Sequence, residues 1–251
     1  MQTHLLSHAY FICGFRIKKP ERIRFRFVFA PLVWRFSGMF PVNVLSFRAA
    51  LSRAYWPVNM TLHIALLAGS PSAQSRTTRL LEHVGERLAT FGLTHTLLQV
   101  RDLPPAALLH ADFRDPEVQA AQQIINSADA VVIATPIYKA SFSGVLKTFL
   151  DLLAQDALAG KPVLPLAIGG SQSHMLVIDY ALRPVLAALG APHILPGIYA
   201  TENQIKWQGD DVLVLDASIA ERITTGIGHL CGSLHANSSR SETAPALLRR
   251  A

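Results

Sequence analysis

From residue 60 onward, short apolar runs alternate with segments whose apolar residues recur at three- and four-residue spacing. Leu62–Ala68 is an apolar run that ends in Gly69-Ser70-Pro71, the pattern of a strand buried on both faces. Arg76–Phe91 places Leu80, Leu81, Val84 and Leu88 on one helical stripe, and Gly92 stops it. Leu93–Val100 reads as a second strand. Pro116–Ser127 reads as a helix, capped by Asp115 with Pro116 in its first turn. Ala130–Ala134 is a third strand, Ser143–Leu153 a helix, Lys161–Ile168 a fourth strand and Ser173–Leu189 a helix ended by Gly190. His193–Tyr199 is a fifth strand and Val212–Leu230 a final helix. Five strands separated by helices predict an α/β fold: a doubly wound parallel sheet with right-handed crossovers and helices on both faces. No internal repeat is visible.

Composition sharpens this picture at the two ends. Half of the 251 residues are hydrophobic and 16% are charged, which excludes a disordered chain and allows a sizeable core. No apolar run approaches the ~20 residues of a membrane-spanning helix. Cys13 and Cys231 form no CxxC pair, zinc spacing or disulfide framework, so a reducing cytoplasm is the expected setting. The net charge of +6 is unevenly held. Residues 1–59 carry nine Lys+Arg and one acid, Glu21, for +8; residues 60–251 carry 14 basic and 16 acidic residues, for −2. The larger part has no electrostatic footprint for nucleic acid.

Residues 1–59 also hold eight of the twelve Phe and two of the three Trp, and Pro20, Pro31, Pro41 and Pro57 interrupt them. An Arg-rich, acid-poor leader fits a transit peptide or a patch for anionic lipid. The simpler expectation is that Met60 is the true start and opens the working domain, 60–231, and that 1–59, a basic aromatic extension, is disordered or mistranslated upstream sequence. Residues 232–251 are small, polar and aperiodic and are expected to fray.

Ligands of open α/β sheets bind beyond the carboxyl ends of the strands, so the loops there carry the candidate chemistry. The first loop, 69–78, is rich in hydroxyls and enters a helix at Arg76. Free N–H groups and the helix dipole favour an anion there, with Ser and Thr hydroxyls and a guanidinium as further donors. The loop has neither GxxxxGK[ST] nor GxGxxG, so it suits a terminal phosphomonoester such as that of FMN better than a triphosphate or dinucleotide. A well-capped helix is the plain alternative. The second loop, Thr135-Pro136-Ile137-Tyr138, is stiff and aromatic and could edge a flat heterocycle, or be an ordinary β-to-α turn. The third, Gly169-Gly170, lets a planar ligand approach main chain, or is simply a turn. The three share one predicted sheet edge.

With LAGSPSAQSRTTRLLE, ADAVVIATPIYKASFSGVLKTFLDLL, GKPVLPLAIGG and HMLVIDYALRPVL, the chain resembles the NADPH-dependent FMN reductases of the flavodoxin-like superfamily. It looks most like the reductase partner of bacterial alkanesulfonate monooxygenases. The likeness runs from about Met60 to Leu230, and 1–59 has no counterpart in it. It implies a flavodoxin-like fold that oligomerises as a dimer or tetramer, with FMN and NADPH as ligands. It assigns the FMN phosphate to Ser70, Ser75, Arg76, Thr77 and Thr78. It assigns the isoalloxazine edge to Thr135, Pro136, Ile137 and Tyr138, with Gly169 and Gly170 on the other side. It also implies a π-bulge at Tyr180, at the tetramer interface, tied to FMN acting as a transferable substrate. The implied reaction is hydride transfer from NADPH to flavin N5 with no catalytic side chain, supplying reduced flavin to a monooxygenase in sulfur acquisition. The preference for NADPH over NADH comes from the resemblance alone.

Other candidates are weaker. Lys147 and Asp151 are spaced to pair on one helix. His174 and Asp179 stand five apart with no nucleophile motif, and the ten histidines show no metal-ligand spacing. Two other functions compete: a reductase of quinones or azo compounds with tightly held FMN, and a non-enzymatic electron carrier of the same fold. The near-neutral charge of 60–251 speaks against the carrier.

Overall fold

A computed structural model describes residues 62–208 and 212–243. Residues 1–61, including the basic segment and Met60, lie outside the described residues, as do 244–251.

The elements follow in the order β1 (His63–Ala68), α1 (Arg76–Ala89), β2 (Thr94–Gln99), α2 (Pro105–His110), α3 (Pro116–Ser127), β3 (Ala130–Tyr138), β4 (Ser141–Phe142), α4 (Gly144–Leu150) and β5 (Pro162–Gly169). A π-helical turn, Ile178–Leu182, then leads into α5 (Arg183–Ala188). The chain continues through β6 (His193–Ile194), β7 (Ile198–Thr201), the hairpin β8 (Ile205–Gln208) and β9 (Val212–Leu215), and α6 (Ala217–Thr243). The main sheet runs β2-β1-β3-β5-β6, with β7 also paired to β5, and these pairings are all parallel. This is the expected doubly wound, flavodoxin-like order, which reverses direction between β1 and β3.

Both faces of the sheet are covered, which is why its inner strands β1, β3 and β5 are mostly apolar and buried, while the edge strand β2 (THTLLQ) keeps polar, exposed positions. On one face Leu80, Leu81, Val84 and Leu88 of α1 pack with Ile219, Ile223, Ile227 and Leu230 of α6 against Ile64, Leu66, Val132 and Leu164. On the other, α3, α4 and α5 bring Val118, Ile125, Phe149 and Leu186 against Ala65, Leu67, Val131 and Ile133.

Four expectations need correction. The third strand does not stop at Ala134: β3 outlasts its pairing with β1, follows β5 to Pro136 and folds back on β4. The helix expected over 173–189 is broken into a 3₁₀ turn, a π turn and α5. Pro184 lacks the N–H that would bond the Tyr180 carbonyl one turn back, so an α ladder cannot close there. The fifth strand is split, because Pro196 cannot donate to the ladder between β6 and β7. The last helix begins at Ala217, since Val212–Leu215 pairs antiparallel with Ile205–Gln208. Asp216 then caps the helix, its Oδ1 accepting from the Ser218 N–H at 2.9 Å and the Ser218 hydroxyl at 2.6 Å.

The C-terminal segment also departs from expectation. The helix continues through Thr243 rather than fraying from 232. Leu234 is buried and extends the stripe of Ile227 and Leu230 by one further turn, which anchors a polar sequence that has little apolar periodicity of its own.

Candidate functional site

The reversal of strand order between β1 and β3 opens a crevice at their carboxyl ends, and the loops from β1, β3 and β5 meet there. Register places Ala68 beside Ala134, Ala134 beside Leu166, and Gly169 beside Thr201. The three loops singled out in the sequence are therefore neighbours.

The loop after β1 is held down by main chain. The Gly69 N–H donates to Ala134 O at 2.8 Å, and the Ser143 hydroxyl donates to Gly69 O. A Cβ on Gly69 would stand 2.6 Å from Leu146 Cβ, so α4 packs directly on the loop. Ser70 and Ser75 are buried, and Ser75 caps α1 by accepting from the Thr78 N–H at 3.1 Å. Thr77 and Thr78 are buried as well. Thr78 Oγ1 has no hydrogen-bond partner among the described residues. An orphaned buried hydroxyl of this kind costs about 1–3 kcal/mol, and a donor-rich loop that leaves one unused suits an anion. Arg76 is half-exposed at the helix entry, where its Nη1 donates to Glu202 Oε2 at 2.9 Å.

Thr135–Tyr138 is strand rather than loop. Thr135 is buried and its hydroxyl accepts from the Ser143 N–H at 3.0 Å; Pro136 and Ile137 are half-buried; Tyr138 is exposed. The turn that follows takes Lys139 and Ala140 through φ values of 49° and 58°. Two left-handed residues make the tight hairpin that aims β4 back along β3, in a conformation usually left to Gly or Asn.

Gly169 ends β5 under Tyr199, where a Cβ would lie 2.2 Å from the phenol oxygen. That phenol donates to Ser171 O at 2.5 Å, and burial pushes its pKa up. Gly170 is exposed, and nothing would meet a Cβ on it within 4 Å. Tyr180 sits mid-way along the π turn, where a bulge was expected, and is 79% exposed. It lies apart from the three loops in sequence; Asp179 beside it pairs with Arg183 at 3.1 Å. Lys147 and Asp151 form the expected ion pair.

Sequence reasoning missed Ser143, Tyr199 and Glu202. Ser143 was visible as a helix start, but its grip on Gly69 was not. Tyr199 lies within β7 and Glu202 directly follows it, at a carboxyl end with no conspicuous loop motif. Position on the same sheet edge was the available signal. No cluster of His, Cys, Asp or Glu arranged for a metal occurs among the described residues, and no described helix is long and apolar enough to cross a membrane.

Comparison with known proteins bears on this edge. The family described as NADPH-dependent FMN reductase matches residues 62–206, from the start of β1 into β8. The chain belongs to the NADPH-dependent FMN reductase family. It is similar to an FMN reductase (NADPH) of Pseudomonas putida, 48% identical over 161 residues that span 64% of this chain and 82% of that protein. An FMN reductase (NADPH) of Escherichia coli is 44% identical over 57% of this chain and 75% of its own length. The apo form of an NADH:FMN oxidoreductase superposes with a TM-score of 0.63 at 38% identity, covering 69% of this chain and 90% of the other. As a family member the protein is an oxidoreductase, with FMN and NADPH as its small-molecule partners. The loop chemistry fits FMN: a hydroxyl-lined helix entry for a phosphomonoester, an orphaned hydroxyl within it, and an open glycine, Gly170, on the same sheet edge.

Proposed function

We propose that the protein reduces FMN with NADPH as a diffusible substrate and passes reduced flavin to a flavin-dependent monooxygenase acting on alkanesulfonates. The observation that carries this reading is the loop after β1, where buried hydroxyls and Arg76 surround the entry of α1 and Thr78 Oγ1 lacks a partner. The monooxygenase and its sulfonate substrate rest on the sequence resemblance alone.

When bound, FMN supplies the redox chemistry by accepting hydride from the nicotinamide. The protein supplies placement. Ser70, Ser75, Arg76, Thr77 and Thr78 hold the phosphate, using hydroxyls, the guanidinium and the first N–H groups of α1. Thr135 and Pro136 are held rigid by the β3 pairing with β5, so Ile137 and Tyr138 present a fixed edge to the ring. Gly170, with open space where a side chain would stand, would keep that side of the ring clear, while Gly169 makes room for the Tyr199 phenol that holds the start of the loop at Ser171. Main-chain N–H groups of these loops stabilise charge that gathers on the reduced ring, and no acid–base side chain is required. Tyr180 is the proposed contact of a homo-oligomer, dimer or tetramer, because a large aromatic left mostly exposed on a π turn is a surface that a second copy would cover.

The test is anaerobic oxidation of NADPH and NADH with FMN, FAD and riboflavin as separate acceptors. Fast NADPH oxidation with FMN, by protein that loses flavin on dialysis, supports the proposal. Flavin retained through dialysis, with electrons passing to quinones or azo compounds, would replace it with the tight-binding alternative.

A further inference from the structure

We infer that Glu202 is a positioning residue that weakens the hold on FMN, by competing with the FMN phosphate for Arg76. This rests on the assignment of the phosphate to the loop after β1.

Glu202 lies 126 residues from Arg76 in sequence and meets it from the end of β7. Its presentation is specified by the fold. β7 ends at Thr201, registered against Gly169 on the same carboxyl edge as the phosphate loop. A short 3₁₀ turn, Glu202–Gln204, follows, and Gln204 Oε1 closes it by accepting from the Thr201 N–H at 2.9 Å and the Thr201 hydroxyl at 3.1 Å. The turn directs the Glu202 carboxylate onto Arg76 Nη1 at 2.9 Å.

The consequence is electrostatic. Arg76 is the first residue of α1 and the one cation within 69–78. A phosphate seated at that helix entry needs the guanidinium, yet one of its N–H groups is already given to a carboxylate. Glu202 also sets a negative charge beside the place a dianion would occupy. Both effects oppose phosphate binding, and neither touches the ring. Arg76 and Glu202 are about half-exposed, 47% and 54%, so solvent screens the pair and the competition is partial. A grip that is deliberately incomplete suits a flavin that must leave after each turnover.

The experiment is fluorescence titration of the flavin-stripped full chain with FMN and with riboflavin, at low and high salt. Glu202→Gln should tighten FMN by roughly two- to fivefold at low salt, a change in keeping with an exposed ion pair. Riboflavin, which has no phosphate, should bind as before, and high salt should shrink the FMN effect. Glu202→Asp, which keeps the charge, should stay nearer the parent. In an Arg76→Ala background, Glu202→Gln should change FMN affinity less than it does alone. Unchanged or weakened FMN binding in Glu202→Gln, with Arg76→Ala still damaging, overturns the competition and leaves the phosphate assignment standing. If Arg76→Ala also leaves FMN binding unchanged, the phosphate assignment fails and this inference fails with it.

Discussion

The loops after β1 and β5 open on one edge of one sheet and are built in opposite ways. After β1, Ser70, Ser75, Thr77 and Thr78 are buried, with Gly69 clamped between Ala134 and Ser143. After β5, Gly170, Ser171, Gln172 and Ser173 are all exposed, and the chain leaves through irregular turns toward Tyr180. The contrast follows from what each would hold. Donors around an anion are useful only if they are already oriented when it arrives, and the two ends of that loop, Gly69-Ser70 and Ser75, are packed while Pro71–Gln74 between them is exposed. A planar ring that must also receive a nicotinamide needs one side without side chains, which the exposed Gly170 would leave it. On the proposed assignment, grip and access are separated onto different strands.

The largest test of this separation is Gly69→Ala. The new methyl would press on Leu146 Cβ beside the main chain of α4, costing about 1–3 kcal/mol of stability, read by denaturant unfolding, and spoiling FMN binding with it. If stability and flavin binding are both preserved, the loop is not clamped as described. Arg76→Ala should raise the Kd for FMN by roughly tenfold or more, the scale of one charge-assisted hydrogen bond, while leaving the rate at saturating FMN nearly intact. An equal loss of riboflavin affinity would show that Arg76 does not discriminate the phosphate.

On the open side, effects should be smaller. Tyr199→Phe removes the bond to Ser171 O and should cost about 1 kcal/mol by thermal or denaturant unfolding. It also has a pH signature. Because burial raises the Tyr199 pKa above its ordinary value of 10.0, the parent keeps the full contribution below that pH and loses it as pH rises toward the folded value. Tyr199→Phe should lack that alkaline loss. Smallest in stability is Tyr180→Ala, within about 0.5 kcal/mol for an exposed side chain. Its readout is sedimentation, where a shift to smaller species would support the proposed contact between copies.

Much of this was legible in the sequence because it is local. The apolar runs of β1, β3 and β5, the stripe of Leu80, Leu81, Val84 and Leu88, and the cap at Asp115 each follow from a handful of adjacent residues. So does the candidate site, since Ser75, Arg76 and Thr78 lie within one turn of each other and Gly169 directly closes a strand. The helix expected over 173–189 is interrupted; the π turn at Tyr180 stands where the resemblance implied a bulge, whereas the 3₁₀ turn at Gln172–His174 was not expected.

Tertiary structure decided what depends on partners distant along the chain. β3 runs on to Pro136 because β5 offers a ladder where β1 has ended, and to Tyr138 because β4 folds back on it; Val212–Leu215 is strand because Ile205–Gln208 is there to pair with it. The final helix persists past residue 232 because Leu234 finds the core. Ser143 reaches Gly69, Tyr199 covers Gly169 and Glu202 meets Arg76 across separations that no pattern of spacing encodes. Local sequence sets which backbone conformations are cheap, whereas a hydrogen bond or ion pair between remote segments exists only once the sheet has put their ends side by side.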